Sequence, residues 1–317
     1  MTGGTGFIGK RVIERLRRRG DEVVALVRDP GKAAALRDQG VELVEGDLSS
    51  ADSMRRGMEG ADSVFHIAAV YKVGIPKKER AAMFDANVHG TERILDAAEQ
   101  AGIARIVYVS TGNVFGDTKG AVVDESYERD LTDGFLSYYD ETKFRTHELV
   151  RERIARGAPV VIVQPGVVYG PGDHSEIGNL IDQLRTGKLK MRMFPDSRYN
   201  FVFVDDVADG IVLAHDKGKV GDAYLLGGEV ASMDDLYDKT AAVLGRKPPK
   251  MALPVAMARA SSPLGPVIGP LMGFPPNMKE LVKTSDVTIT FTDGKARREL
   301  GYNGRALTEG LPETVTT

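Results

Sequence analysis

Tyr139 and Lys143 lie four residues apart in Ser137-Tyr138-Tyr139-Asp140-Glu141-Thr142-Lys143, which opens a helix running to about residue 156. At that spacing the two side chains share one helix face. A free phenol has a pKa of about 10, too high for acid–base work at neutral pH. A fixed ammonium beside it favours the phenolate, and lowering the pKa by ~3 units corresponds to about 4 kcal/mol. Taken alone, the pair is more simply an exposed aromatic beside a solvated lysine.

A second stretch has chemistry of another kind. Thr2-Gly3-Gly4-Thr5-Gly6-Phe7-Ile8-Gly9 places glycines at 3, 6 and 9 and leads straight into a helix with Ile8, Val12 and Leu16 on one face and Gly20 as its stop. A glycine turn feeding a helix N-terminus cradles phosphate, because the backbone can approach the anion and unpaired N–H groups point at it. Such a turn needs a strand before it, a helix after it and a ribose-reading residue about twenty positions on. Only Met1 precedes Thr2, so the leading strand, central in a doubly wound sheet, is expected to be missing. Either the real start lies upstream or the chain is truncated. The chain as written should then be less stable than one extended by a short β-rich segment.

The elements that would position these residues follow in order. Glu22 to Val27 is a β-rich run ending in Arg28-Asp29-Pro30. Arg28 stands 19 residues after Gly9, where an arginine pairs a 2′-phosphate and an acid would take a 2′-hydroxyl. Lys32 adds a second positive charge, which together favours NADPH; the alternative makes Arg28 a solvated loop residue and Asp29 the ribose ligand. Val41 to Leu48 reads as a strand ending in Asp47-Leu48, and Ser63 to Ala69 as an apolar strand whose small terminal residues, Ala68 and Ala69, suit close approach of a cofactor. His66 within it reads as a packed core histidine. Residues 78–101 form a long helix, 105–110 an alternating strand, and 159–164 a buried β-branched strand. The alternation of strand and helix is the pattern of a parallel sheet covered on both faces. Beyond residue 173 the alternation breaks. A helix is expected over 175–186, strands over 188–194, 201–204 and 223–226, and a helix capped by Ser232. The Pro- and Met-rich stretch 251–278 reads as a substrate lid or as a cover over the sheet edge.

Composition narrows the function classes. The 317 residues carry a net charge of −3, which gives no basic field for nucleic acid. No apolar run reaches the ~18 residues of a membrane span, and no signal-peptide pattern opens the chain. With no cysteine, disulfides and cysteine nucleophiles are excluded, which fits a cytoplasmic protein. Five scattered histidines show no metal-ligand spacing, so no metal is expected.

Together the motifs carry a resemblance. The chain resembles the extended short-chain dehydrogenase/reductase family, also called the NAD-dependent epimerase/dehydratase family, and within it the dihydroflavonol-reductase-like branch. The pieces are Thr2 to Gly9, Asp47-Leu48, His66-Ile67-Ala68-Ala69, Asn87-Val88-His89-Gly90-Thr91, Tyr139 with Lys143, Pro165 to Asp173, Val204-Asp205-Asp206-Val207 and Lys295 to Tyr302. Each is weak, but their order and spacing are strong.

The resemblance implies an α/β fold: a Rossmann-type doubly wound parallel sheet over residues 1–172 and a smaller, mainly substrate-binding α/β region over 173–317, with 199–218 returning to the Rossmann sheet. It implies Tyr139 as general acid, Lys143 lowering its pKa and holding the nicotinamide ribose, and Thr111 bonding the substrate carbonyl. Gly3, Gly6 and Gly9 would form the pyrophosphate turn, with backbone contacts from Thr5, Phe7 and Ile8. Asp47 and Leu48 would flank adenine, Ala68 and Ala69 line the channel, and Pro165 and Val168 back the nicotinamide. Asn87 would tie helix to strand rather than touch substrate. Relatives pack helices 78–101 and 137–156 into a four-helix bundle, so a homodimer is expected.

Departures sort the subfamilies. Sugar-nucleotide dehydratases carry an acidic pair where this chain has Gly112 and Asn113, and epimerases often carry an arginine where it has Tyr199. With Arg28, these favour an NADP(H)-dependent reductase of a small-molecule ketone or aldehyde. An NAD-dependent sugar epimerase is the alternative, and a non-catalytic dinucleotide sensor a third reading.

Overall fold

A computed structural model describes residues 1–252, 283 and 287–316. The stretch 253–278, expected to be lid or cover, lies outside the described residues.

The first half alternates as the sequence pattern requires. Helix α1 (Phe7–Arg18) follows the glycine turn and buries Gly9, Val12, Ile13 and Leu16. Then come β1 (Val24–Val27), α2 (Ala34–Arg37), β2 (Glu42–Glu45), α3 (Ala51–Met58) and β3 (Ser63–His66). The expected helix over 78–101 is α4 (Lys77–Phe84), a π-helical turn at Asp85–His89 and α5 (Gly90–Gln100). Strand β4 (Arg105–Val109) follows, then a short β5 (Val122–Val123), α6 (Tyr138–Ala155), β6 (Val160–Pro165) and β7 (Val167–Tyr169). Helix α7 (Glu176–Arg185), β8 (Arg198–Phe203), α8 (Val204–Lys217), β9 (Ala223–Leu226), β10 (Glu229–Ser232), α9 (Met233–Val243) and β11 (Thr288–Phe291) complete the two sheets.

The main sheet is parallel. β3, β4, β6 and β9 pair in that order, and β1 pairs β2. Every residue of β6 is buried, so the strand reads as a continuous β-branched run. One apolar layer, including Val107, Val109, Val161 and Val163, packs with α1 and α8; the other, including Ile106, Tyr108, Val160 and Ile162, packs with α3 and α5.

The expected missing strand is a two-residue link. Thr2 bridges Leu26 and His66 in parallel register, donating its N–H to Phe65 O at 3.0 Å, while Leu26 donates to Met1 O at 2.9 Å and the Met1 amine to Val24 O at 2.7 Å. Alongside lies a cavity of about 470 Å³ between the edges of β1 and β3, lined by Leu16, Val24, Met54, Val64 and Ile94 among others. An extended strand there would cover the apolar part of this lining, which also includes Asp21, Glu42 and Asp62.

The second sheet runs β10-β8-β11-β5, with β7 beside β8. Here the structure corrects the expected domain limits. β8, within the span expected to return to the Rossmann sheet, belongs to the second sheet; α8 packs back on α1 and β9 joins the main sheet next to β6. Conversely β5 and β7, from before residue 172, sit in the second sheet. The expected strand over 188–194 is also absent. Tyr237 Oη bonds both Met193 N and Met193 O, occupying groups a strand would need, and Phe194 takes φ +49. Among the described residues no helix is long and apolar enough to cross a membrane.

A chain carrying a β-branched extension of about five residues before Met1 is expected to melt higher than the chain as written. Equal melting temperatures would show that the slot between β1 and β3 does not accept a strand.

Candidate active site

The C-terminal ends of the parallel strands bring the glycine turn, Ala68, Thr111 and Pro165 to one edge of the sheet, where ligands bind in open α/β folds. The glycines are required there. Gly3 has φ +75, and a Cβ on it would stand 2.7 Å from Ala68 N; a Cβ on Gly9 would stand 2.0 Å from Gly3 O. Gly6 donates to Gly3 O at 2.9 Å and precedes α1 with no side-chain cap. The first N–H groups of α1, from Phe7 onward, therefore face an open cradle bounded by Gly3, Thr5 and Gly6. These residues fit the pyrophosphate of a dinucleotide.

At the far end of the cradle Asp29 is committed to its own turn, accepting from Gly31 N at 2.9 Å and pairing Lys32 Nζ at 3.7 Å. Arg28 is exposed, with neither hydrogen bond nor ion pair among the described residues. Asp47 accepts from Ser49 N and Oγ, which hold its carboxyl below the usual range, helped by the nearby Arg28. Leu48 packs against the α5 layer, its carbonyl taken by Arg93 Nε at 2.6 Å. Ala69 is exposed and Val168 half-buried beside the α1 layer.

Tyr139 stands in the first turn of α6, which Ser137 caps by accepting from Asp140 N at 3.1 Å. The turn is pinned by a buried bidentate pair: Arg129 donates to the two Asp140 oxygens at 2.7 and 2.8 Å. Removing one partner of such a pair costs about 3–5 kcal/mol. Tyr139 is 8% exposed and clusters with Ile75 and Met83. Burial, then Asp140 and Glu176, push its phenol up, so it is protonated at neutral pH.

Lys143 differs from expectation. Its ammonium donates to Val109 O at 3.1 Å and Tyr108 Oη at 3.3 Å, not to the Tyr139 phenol, because a buried cation takes the strongest acceptors in reach. Burial lowers its pKa to about 8. The Tyr139 phenol is thus raised rather than lowered in this structure. Thr111 Oγ accepts from Asn113 N at 3.2 Å, so its hydroxyl proton remains to be donated. Gly112 is also required: a Cβ there would stand 2.4 Å from the Phe291 ring.

Behind these groups runs a buried hydrogen-bonded chain. Thr91 donates to Asn87 O at 2.7 Å, so His66 Nε2, 2.9 Å from Thr91 Oγ1, must be the donor. His66 Nδ1 then accepts from the Thr2 hydroxyl at 2.7 Å. The imidazole is neutral, pushed down to about 3 by burial, and His66 is a core histidine as its sequence context suggests. Asn87 accepts from Val70 N, donates to Val70 O and donates to Thr142 Oγ1 at 3.0 Å. It ties the π turn to the loop after β3 and to α6.

The residues 1–227 match the profile of the NAD dependent epimerase/dehydratase family. The chain belongs to that family. A Synechocystis sp. protein whose name assigns it provisionally as a dihydroflavonol 4-reductase is 31% identical over 99% of this chain and 92% of its own length. A Stigmatella aurantiaca protein, 4-hydroxy-2-methyl-3-oxo-4-farnesyl-3,4-dihydroquinoline-1-oxide ketoreductase, is 32% identical over 96% of this chain and 91% of its own. The crystal structure of gox2253 superposes with a TM-score of 0.85 at 31% identity, covering 99% of this chain and 96% of that one. The fold is the Rossmann-type fold of epimerase/dehydratase enzymes, and the dihydroflavonol-reductase-like resemblance is shared by these family members.

Tyr71 and Glu176, which border Tyr139, escaped the sequence reading. Neither sits in a motif, and only the aromatic type at Tyr71, two residues past Ala69, hints at a site wall. His147, buried against Ser110 Oγ at 3.0 Å and pushed down to about 4 by burial, also went unread.

The two histidines set a pH dependence. Both are neutral in the fold and have a pKa near 6.5 when unfolded, so the unfolded chain binds more protons below that pH. Their stabilising contribution is complete above about pH 6.5 and declines towards pH 4 to 3, by up to ~1.4 kcal/mol per unit for each. The melting temperature is expected to fall from pH 7 to pH 5, before most carboxylates titrate, and to fall less steeply in His147→Asn. A flat profile would mean that neither histidine is held neutral.

Proposed function

We propose that the protein is an NADP(H)-dependent reductase of a ketone or aldehyde. The observation that carries this reading is the protonated, buried Tyr139 phenol on α6, a helix packed on the turn that follows Thr111, whose hydroxyl proton is free to be donated. Gly3, Gly6 and the first N–H groups of α1 would hold the pyrophosphate of a nicotinamide dinucleotide, which would supply hydride to a carbonyl carbon. Thr111 Oγ and Tyr139 Oη donate hydrogen bonds to the carbonyl oxygen, which polarises the C=O bond. As charge develops on that oxygen, the phenol proton passes to it. Lys143, with a pKa near 8, carries an ammonium at neutral pH that would stabilise the phenolate left behind by turning to it from Val109 O. Ile75 and Met83 keep water from the phenol.

Preference for the 2′-phosphate is supported by Arg28. Its guanidinium makes no hydrogen bond or ion pair among the described residues, with Asp47 as a nearby charge, whereas the Asp29 carboxylate that could take a 2′-hydroxyl is occupied by its own turn. Lys32 shares only an exposed pair with Asp29, which costs little to release. Gly112 and Asn113 stand where dehydratases carry their acidic pair, and Tyr199 stands where epimerases often carry an arginine, with Arg198 one residue away.

Tyr139→Phe is expected to lower the rate of NADPH-dependent carbonyl reduction by about 10²–10⁴-fold while cofactor affinity stays the same. Undiminished turnover would remove Tyr139 from the reaction. Arg28→Asp is expected to weaken NADPH binding by ~10–100-fold, as loss of one or more charge-assisted bonds implies, with little effect on NADH. An unchanged ratio of the two affinities would refute the phosphate assignment, and NAD retained through purification without net redox turnover would favour an epimerase.

A further inference from the structure

Tyr71, in the loop after β3, lies outward of the buried phenol. It is 48% exposed, and its ring meets Tyr139 edge-on, centroids 4.8 Å apart at 85°. Its hydroxyl donates to Glu176 Oε2 at 2.8 Å. Glu176 begins α7, on the far side of the glycine-rich segment 166–173, so this bond clasps the loop of the main sheet to the second lobe across Tyr139. Asn87 fixes the same loop from behind through both polar atoms of the Val70 backbone. The Tyr71 ring is therefore held in place next to the phenol rather than merely resting there.

Two carboxylates border this opening, with Lys10 Nζ beyond them near Gly172. Glu176 is close enough to raise the Tyr139 phenol, and Asp173 adds to the field around Tyr71. The neighbouring cation Lys72 is turned to Glu79 at 3.4 Å. Beneath the opening, Ile75 and Met83 give the phenol an apolar surround. A carbonyl reaching Tyr139 Oη must pass the Tyr71 face, and any anionic group beside that carbonyl would come close to the Glu176 carboxylate.

We propose that Tyr71 and Glu176 select the substrate: the Tyr71 ring is the wall on which a flat, uncharged carbonyl compound stacks, and Glu176, which holds that ring, bars carbonyl compounds carrying an anionic group near the reacting end. This rests on the reductase reading of the same site, and Tyr71 acts as a wall rather than as a proton donor to the carbonyl.

The test is equilibrium titration of the full chain, with oxidised nicotinamide dinucleotide present, using methyl benzoylformate and benzoylformate as a matched neutral and anionic pair whose carboxyl group adjoins the ketone. The ester is expected to bind at least about tenfold more tightly, the scale of one like-charge contact near a protein surface. Glu176→Gln, which keeps an acceptor for the Tyr71 hydroxyl, is expected to bring the two affinities to within about threefold. Tyr71→Phe should keep the ester's affinity within a few-fold, whereas Tyr71→Ala loses the stacking wall and weakens both. Equal affinities in the parent chain, an unchanged ratio in Glu176→Gln, or no binding of either compound would each overturn the proposal. Selective binding of the ester without its reduction by NADPH would support the selection and overturn the reductase reading instead.

Discussion

Asn87 commits its whole side-chain amide to holding three elements together, and the candidate site depends on that bond set. The carboxamide oxygen takes Val70 N, and the nitrogen is shared between Val70 O and Thr142 Oγ1. Its backbone carbonyl receives the Thr91 hydroxyl at 2.7 Å. An α-helix would give that carbonyl to an N–H four residues on. The π turn at Asp85–His89 shifts that ladder, and the Thr91 hydroxyl reaches the carbonyl within it. A buried amide with every site filled is costly to disturb, since each orphaned group loses its hydration without replacement.

From Asn87 the constraint spreads in both directions. Through Thr91 and His66 it reaches Thr2, whose hydroxyl also accepts from Ala68 N, so the start of the glycine cradle is registered against the end of β3. Through Thr142, whose hydroxyl donates to Tyr139 O, it reaches the first turn of α6. There the Arg129–Asp140 pair takes over and fixes the loop before α6. The glycine turn and the backbone that carries Tyr139 thus belong to one polar network within an apolar core, and their separation is set by hydrogen bonds rather than by packing alone.

The same logic explains the Lys143 arrangement. A buried ammonium with only a phenol for company would be poorly solvated, so it turns to the carbonyl of Val109, the last residue of β4. The parallel sheet supplies that carbonyl because its strands end at the cradle. The phenol, surrounded by Ile75, Met83 and carboxylates, keeps its proton. Protonated phenol and buried cation are therefore held apart.

Much of this was legible in the sequence. Periodicity marked the parallel strands and the helices on both faces, since each period reports which side of an element meets apolar neighbours. The glycines at 3, 6 and 9 announced a cradle because backbone this close tolerates no Cβ. Asn87 and His66 were readable as structural groups. Other features depended on contacts between distant segments, which periodicity does not record. The placement of β8 in the second sheet, the irregular stretch at 188–194 and the two-residue link at Met1-Thr2 are pairing choices made by partners far along the chain. The turn of Lys143 towards β4 and the Tyr71–Glu176 clasp, 105 residues apart, likewise arise only when the lobes meet. Local residue types determined which chemistry this chain can hold. Tertiary structure decided which of those groups face one another and in what protonation state, because burial and nearby charge are properties of the assembled fold.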